Sequence, residues 1–199
     1  NNVNSIISPA LVGISAQNQS AVDTLMRDLD RTENKSRLGA NAILSVSLAS
    51  AKAAAASAGM PVYTYLGADG ATRLPIPMMN ILNGGAHATN NISIQEFMVV
   101  PVGLPTFSEA IRAGSEIFHT LGGLLKKRGL STGVGDEGGF APDHESDEEA
   151  IELICEAIQL SGYDTDTVKI ALDAAAGEWF EDGVYTQQKS GRTFTLPQL

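Results

Sequence analysis

Apolar residues recur at helical spacing through the first third of the chain. Residues 19–59 are predicted to form a pair of helices, the first with Ser20 as its N-cap, three positions before Asp23. The second helix is rich in alanine and ends at Gly59, with Pro61 just beyond it, as is common at helix ends. Larger apolar residues are expected to anchor this helix and argue against low-complexity disorder: Ile43, Leu44, Val46 and Leu48.

Beyond about residue 72 the pattern changes to strands and helices in alternation. Each of the two helices opens with a capping box, Thr106 with Glu109 and Ser146 with Glu149. Because strands that alternate with helices favour a largely parallel sheet or a β/α barrel, we expect an α/β fold here and a domain boundary near residue 72. Strands are predicted within 74–85, 92–102 and 167–180, and helices within 105–129 and 146–162.

The last predicted strand ends in an acidic residue. Side chains alternate along a strand, so Val168, Ile170 and Leu172 share one face and Asp173 lies on the other. The carboxyl ends of the strands carry the active site in β/α barrels, which makes Asp173 a candidate metal ligand or base. A cap for the turn that follows the strand is an equally good interpretation.

A second acidic residue lies inside a predicted strand. By the same alternation, Glu96 shares a face with Ile94 and Met98, while Gln95 lies on the opposite face. A carboxylate between two large apolar side chains is unfavourable unless it is paired or bound to a ligand. We therefore expect Glu96 to have a partner.

The segment "STGVGDEGGFAP", residues 131–142, places Asp136 and Glu137 among glycines. Glycine loses more conformational freedom on folding than any other residue and buries no side chain, so a glycine-rich segment needs a geometric reason. One interpretation is an acidic surface turn, since glycine and aspartate are common in turns. The other is a tight loop that approaches a ligand closely and directs Glu137 or Asp136 toward it.

Among the histidines and the single cysteine, His87 is one further candidate for a site residue. His87 lies in the glycine loop "NGGAHATNN", where it is either solvated or part of a site. His119 and His144 are expected to be structural or surface residues. Cys155 falls on an apolar helical stripe, which favours buried packing over catalysis.

The absence of several known sequence motifs excludes the kinds of site that they would form. We find no zinc spacing, phosphate-binding P-loop, Gly-x-Ser-x-Gly elbow or EF-hand loop, and "GVGDEGG" does not fit the dinucleotide fingerprint. Carboxylates at strand ends with one histidine remain, a set that suits Mg²⁺ better than a transition metal.

Composition excludes several classes of partner. A net charge of −10 argues against nucleic acid or an anionic membrane as the main partner. A single cysteine excludes an internal disulfide, and no apolar run approaches the roughly 18 residues that a membrane span requires. We expect a soluble cytoplasmic protein with an ordinary globular core.

Three long segments stand in a recognisable order and spacing: "LPIPMMNILNGGAHATNNISIQEFMVVPVG", "GVGDEGGFAP" and "VKIALDAAAGEWF". They resemble the enolase family, the glycolytic phosphopyruvate hydratases. "SIISPALVG" and "LGANAILSVSLASAKAAAASAGMPVYTYLG" resemble the N-terminal capping domain of that family. The resemblance covers nearly the whole chain. It implies the helical part of an α+β capping domain at 1–72 and about half of a β/α barrel at 73–199.

The resemblance implies Mg²⁺-dependent, reversible dehydration of 2-phosphoglycerate to phosphoenolpyruvate. Glu137 would be the general acid that assists departure of the 3-hydroxyl, with Glu96 beside it in the same acid group. His87, Gln95 and Glu96 would line the substrate, and Asp173 would be the first of three carboxylate ligands to Mg²⁺. Burial near Glu96 would raise a carboxyl pKa far enough for acid chemistry at neutral pH.

The resemblance also implies groups that have no counterpart in this sequence. They are two more carboxylate ligands, a lysine base and the groups that bind phosphate and carboxylate. A β/α barrel typically needs about 250 residues, and 73–199 supplies roughly half of one. We therefore expect this chain alone neither to dehydrate 2-phosphoglycerate nor to bind Mg²⁺ tightly. A homodimer, or a higher oligomer of dimers, is implied for a full-length enolase.

Two other functions stay open at the level of the sequence. One is a non-catalytic, truncated enolase-like product that acts as a binding or structural protein and survives by pairing its open strand edges with another chain. The other is a different barrel lyase or racemase of the same superfamily, against which the extended "NGGAH" and "GDEGGFAP" segments speak.

Overall fold

The computed structural model describes residues 1–67, 70 and 72–199, which divide into two compact units. The first unit runs from Asn1 to Arg73 and the second from Leu74 to Leu199. Helices form the first unit, and the second combines helices with two small sheets.

The helix pair predicted in the first unit is confirmed. Its first N-cap, however, is Asn18 and not Ser20, because the Asn18 side chain accepts a hydrogen bond from the Ala21 N–H at 3.1 Å. Arg31 ends the first helix of the pair in a left-handed conformation, and Gly59 follows the second helix with a φ of +66°. The elements are a π-helical turn at Val3–Ile7, α1 at Ser8–Leu11, α2 at Gln19–Asp30, α3 at Ala40–Ser57 and α4 at Val62–Gly67.

The core of the first unit is small and lies around α2 and α3. Ile43 of α3 is buried in this core, and Val46 packs against the core. Leu44 and Leu48, however, are 58% and 49% exposed. The expectation that these two leucines anchor α3 was therefore wrong. The helix buries alanines instead, whose small side chains allow close approach. The buried cluster consists of Ile7, Val22, Met26, Leu38 and Ile43.

The second unit confirms the expected α/β class, since it mixes helices with sheets. No closed barrel forms among the residues that the structure describes. The larger sheet is built from β1 at Met79–Asn83, β2 at Glu96–Val100 and β3 at Lys169–Asp173, with α5 at Phe107–Lys127 and α6 at Asp147–Leu160 between β2 and β3. A smaller sheet follows, from β4 at Phe180–Glu181, β5 at Val184–Thr186 and β6 at Thr193–Phe194.

The larger sheet is antiparallel, so the expectation of a largely parallel sheet was wrong for its three strands. Its order is β1-β2-β3, and β2 runs against both neighbours. The reason lies in the connections. Residues 84–95 return the chain from β1 to β2 without the crossover helix that parallel strands need, and two helices intervene before β3. One parallel contact is present, where Phe140 bridges to Leu82 of β1.

The core of the second unit is formed by the larger sheet together with α5 and α6. Both helices start where the sequence predicts, because Thr106 and Ser146 each accept a hydrogen bond from the backbone N–H three residues further on. The buried cluster includes Phe97 and Val99 of β2, Ile117, Leu121 and Leu125 of α5, Leu153, Ile154 and Ile158 of α6, and Val168.

The burial of two residues of this unit can be compared with expectation: His144 was expected to be structural or at the surface, and Cys155 to be buried. The side chain of His144 is wholly enclosed, with Nδ1 3.4 Å from Glu149 Oε2, so it is a buried structural residue. Burial lowers the pKa of His144, and the negative charge of Glu149 opposes that shift. Cys155 is half-buried on α6, less enclosed than its apolar stripe suggests.

Gly122 and Gly123 of α5 provide a matched test of how the segment 131–142 is held. A Cβ at Gly122 would lie 2.9 Å from the ring of Phe140, which stacks on Phe118 with 4.3 Å between ring centres, whereas a Cβ at Gly123 meets nothing within 4 Å. Gly123→Ala should raise the free energy of unfolding by about 1 kcal/mol through helix propensity. Gly122→Ala should lower it by about 1–3 kcal/mol through overpacking. Urea unfolding measures both, and equal stabilisation by the two would contradict the packing of Phe140 on α5.

Candidate active site

Three polar residues meet at one end of the larger sheet because β2 is antiparallel to its neighbours. Glu96 opens β2, and the register pairs it with Asn83 at the end of β1 and with Asp173 at the end of β3. The start of an antiparallel strand lies beside the ends of the strands on either side of it. Had β2 been parallel to them, Glu96 and Asp173 would lie at opposite ends of the sheet.

His87 and Glu137 join Glu96 at this end of the sheet. His87 Nδ1 lies 3.8 Å from Glu96 Oε1 and 3.4 Å from Glu137 Oε2. One side-chain nitrogen or oxygen of each residue lies within 4.8 Å of those of the other two. The expected partner of Glu96 is thus present. We call His87, Glu96 and Glu137 the acid group.

Burial raises the pKa of Glu96. A hydrogen bond to Glu137 and the negative charges of Glu137 and Asp173 raise it further, while His87 acts in the opposite direction. Two carboxylates within 4.8 Å repel each other when both are ionised, which adds to the preference of Glu96 for its neutral form. Such a pair can hold a proton on a carboxyl group and deliver it to a bound molecule.

The glycines around Glu137 allow two stretches of backbone to approach closely. A Cβ at Gly135 would lie 2.6 Å from His87 O, and a Cβ at Gly139 would lie 2.6 Å from Asn83 Oδ1. Real side chains do not tolerate such distances, so glycine is required at both positions. The structure therefore favours the close-approach interpretation of this segment over a simple surface turn.

Backbone hydrogen bonds attach the same segment to the edge of β1. Asn83 N–H donates to Phe140 O at 2.8 Å, and Phe140 N–H donates to Ile81 O at 2.9 Å. Asp136 N–H donates to His87 O at 3.1 Å. Asp136 thus contacts this site through its backbone N–H. The carboxylate that belongs to the acid group is that of the next residue, Glu137.

Asparagines that sequence reasoning missed hold the acid group in place. Asn80 Nδ2 donates to Glu137 Oε2 at 3.2 Å. The buried Asn90 donates to Asn83 O at 2.9 Å and to Pro142 O at 2.8 Å, which ties β1 to the end of the glycine segment. Asn80 lies in an apolar strand. The reasoning used for Glu96 applies to it as well, because a polar side chain among apolar neighbours needs a partner. Asn90 lies in a polar loop and gives no such signal.

Gln95 lies beside the acid group and not among its side chains. Together with Gly85 and Ala86, the two residues before His87, it lines a cavity of about 120 Å³. Its backbone N–H donates to Asp173 O at 3.1 Å. The structure therefore brings Gln95 close to both His87 and Asp173, with its side chain in the adjoining cavity.

Asp173 offers oxygen ligands of the kind that Mg²⁺ prefers. Its Oδ1 accepts a hydrogen bond from Ala175 N–H at 2.9 Å, so the cap interpretation holds. Mg²⁺ is commonly held by one or two carboxylates, with water and substrate oxygens completing the octahedron. The acid group includes an imidazole nitrogen, which suits transition metals better. Asp173 thus offers carboxylate oxygens, and the three residues of the acid group lie close enough together to hold a metal ion as well.

Two family models match the chain. The enolase N-terminal domain matches residues 1–66, and the enolase C-terminal TIM barrel domain matches residues 71–195. The chain belongs to the enolase family. This is a family of lyases, generally metal-dependent, that act on small molecules. None of the helices that the structure describes is both long and apolar enough to cross a membrane.

Glu96→Gln should stabilise this enolase fold at alkaline pH. Because the folded-state pKa of Glu96 is raised, the folded chain keeps a proton that the unfolded chain has released. The contribution of Glu96 to stability therefore falls as the pH rises from the ordinary glutamate range through the folded pKa. Removing the charge opposite Asp173 should raise the free energy of unfolding at pH 8 by about 0.5–1 kcal/mol.

Urea titrations at pH 8 and near pH 4 measure this difference, and the gain should vanish at about pH 4, where the unfolded glutamate is also protonated. Glu181→Gln, on the exposed strand β4, is the control for loss of a charge as such. The interpretation is wrong if Glu96→Gln destabilises the protein at pH 8 or if both variants gain equally.

Proposed function

We propose that this chain carries the acid half of an enolase active site, in a protein that reversibly dehydrates 2-phosphoglycerate to phosphoenolpyruvate. The observation that supports this most is the acid group, in which two carboxyl groups and an imidazole lie within 4.8 Å and the pKa of Glu96 is raised. Dehydration at neutral pH needs a carboxyl group that keeps its proton until the hydroxyl departs. An isolated surface carboxylate would have lost that proton.

Glu137 is the proton donor in this proposal. It is the most exposed member of the acid group, at 43%, and so the one that a substrate reaches most directly. When its carboxyl O–H donates to the 3-hydroxyl, the C3–O bond breaks and the hydroxyl leaves as water. Glu96 stays protonated beside it, because burial favours its neutral form, and the exposed Glu137 takes up a new proton from solvent after the water has left.

His87 and Gln95 contact the substrate in this proposal. The imidazole faces both carboxyl groups, so it can donate to a substrate oxygen held between them or stabilise the ionised pair. Gln95 lines the adjoining cavity, where its amide can orient the part of the substrate that does not react. The positions of both residues agree with these roles.

Asp173 would hold Mg²⁺ through its carboxylate, beside the start of β2. The ion, when bound, spreads the negative charge that develops on the substrate carboxylate. Members of the enolase superfamily pair such ions with a lysine or histidine base, and this part of the chemistry is carried over from the family. The base and the remaining ligands are not assigned to residues of this chain, so we expect no turnover by the 199-residue polypeptide alone.

As the family implies, we also expect the natural protein that carries this sequence to work in the cytoplasm as a homodimer or an oligomer of dimers, within glycolysis. The net charge of −10 is consistent with a small-molecule substrate and no nucleic-acid partner.

Glu137→Gln should lower kcat for 2-phosphoglycerate by about 10²–10⁴-fold, since it removes the proton donor and keeps the shape of the side chain. The measurement is phosphoenolpyruvate formation by the natural protein that carries this sequence. Asp136→Asn is the matched control, because Asp136 reaches the site only through its backbone N–H and should keep most of its activity. A near-normal rate for Glu137→Gln, or a larger loss for Asp136→Asn, would show that the acid is assigned to the wrong residue.

Asp173→Asn should weaken Mg²⁺ binding without disturbing the fold. Loss of residues that merely support a metal ligand costs about 10–100-fold in affinity, so loss of the ligand itself should raise the half-saturating Mg²⁺ concentration at least about tenfold. Activity should return at high Mg²⁺. Asp182→Asn, in the exposed turn between β4 and β5, removes the same charge and should leave the Mg²⁺ titration unchanged. An unshifted titration for Asp173→Asn would exclude Asp173 as a ligand.

A further inference from the structure

The smaller sheet reaches the loop that carries His87 through one lysine. Lys189 lies in the connection between β5 and β6, and its Nζ donates to Ala88 O at 2.6 Å. It also lies 3.5 Å from Asn90 Oδ1. The bond to Ala88 joins residues 101 positions apart in the chain. Because Ala88 follows His87 directly, this hydrogen bond acts on the backbone that carries the imidazole.

The connection that presents Lys189 is itself ordered by hydrogen bonds. Gln187 is buried, and its N–H donates to Arg192 O at 2.9 Å. Gly191 N–H donates back to Gln187 O at 2.8 Å, and Ser190 Oγ donates to Gln187 Oε1 at 2.8 Å. Fixing a lysine side chain costs rotamer entropy, so an ordered backbone on either side of Lys189 makes the contact easier to hold.

The side chain of Lys189 is half-buried, which strengthens its attachment to the loop. Burial lowers the pKa of Lys189, and the opposite charge of Asp143 works against that shift. Among the described residues, its hydrogen-bond acceptors are the oxygens of Ala88 and Asn90. A hydrogen bond from a charged donor is stronger than one between neutral groups, and partial burial of the ammonium group makes loss of its acceptor less favourable than at an exposed site.

Two successive carbonyl groups of the loop are therefore held by two different parts of the fold. Asp136 N–H, from the glycine segment, holds His87 O at 3.1 Å, and Lys189 holds Ala88 O. The first contact links the loop to the residue before Glu137. The second links it to the smaller sheet. Together the two contacts fix the backbone carbonyl of His87 and that of the next residue, Ala88.

We propose that Lys189 is a positioning residue, which holds the loop 84–91 so that His87 faces Glu96 and Glu137. The proposal rests on the function proposed above, since it assigns Lys189 a part in aligning the acid group. The lysine touches none of the three side chains and acts through the backbone at Ala88. A displacement of about 1 Å in a catalytic group can lower a rate by about 10²-fold, so a distant tether can control turnover.

The test replaces Lys189 in the natural protein that carries this sequence. Lys189→Met removes the donor and keeps the length and the apolar stem of the side chain, while Lys189→Arg keeps a donor. Arg192→Met is the matched control, because Arg192 belongs to the same connection but pairs with Glu148 on α6 at 3.4 Å. The two readouts are kcat and KM for 2-phosphoglycerate, and amide hydrogen exchange across 84–91.

Lys189→Met should lower kcat by about 10–100-fold with a smaller change in KM, and should accelerate exchange at 84–91 while exchange in α5 stays unchanged. Lys189→Arg should recover most of the rate, and Arg192→Met should resemble the wild type in both readouts. Unchanged exchange at 84–91, or faster exchange throughout the second unit, would overturn the proposal.

The two proposals fail in distinguishable ways. If the wild-type protein does not convert 2-phosphoglycerate, the proposed function is wrong, and exchange at 84–91 still decides whether Lys189 holds the loop. If the wild type is active and Lys189→Met keeps both its kcat and its protection from exchange, only the positioning role is lost.

Discussion

The direction of β2 is the constraint on which the site depends. Running against both neighbours, β2 brings its first residue, Glu96, beside the last residues of β1 and β3. A slip of one residue in this register would turn Glu96 to the opposite face of the sheet and replace it with Gln95 or Phe97. The burial of Phe97 and Val99 in the core opposes that slip, so hydrophobic packing on one face fixes the chemistry on the other.

The site holds like charges together at the expense of stability. Glu96 lies opposite Asp173 and close to Glu137, an arrangement that repels when all three are ionised. Backbone hydrogen bonds hold these carboxylates together despite the repulsion. The glycine segment is hydrogen-bonded along β1, and asparagine side chains tie Glu137 and the end of the segment at Pro142 to the same strand. Strain concentrated at a site and balanced by the surrounding structure is a common feature of enzymes.

Local patterns predicted the main helices, the three strands of the larger sheet and the isolated acids, because each depends on residues close in sequence. Asp173 at a strand end and Glu96 between apolar neighbours were identified for that reason. Strand direction was predicted wrongly, since the alternation of side chains is the same whichever way a strand runs. The roles of Asn90 and Lys189 depend on contacts across 52 and 101 positions, for which a single sequence offers no pattern. The choice of Ser20 over Asn18 as a cap shows how two good cap residues near one helix end leave its start ambiguous.

The spacing of the three strands along the chain also bears on the order in which the site is built. Only residues 84–95 separate β1 from β2, so these strands can pair while most of the unit is unfolded. β3 pairs with β2 across residues 101–168, and closing so long a loop carries a larger entropic penalty. Contacts between distant residues slow folding. Glu96 therefore meets Asn83 through a local contact and Asp173 through a distant one, and the charge repulsion at the site arises late in folding, when the core formed by α5 and α6 is available to offset it.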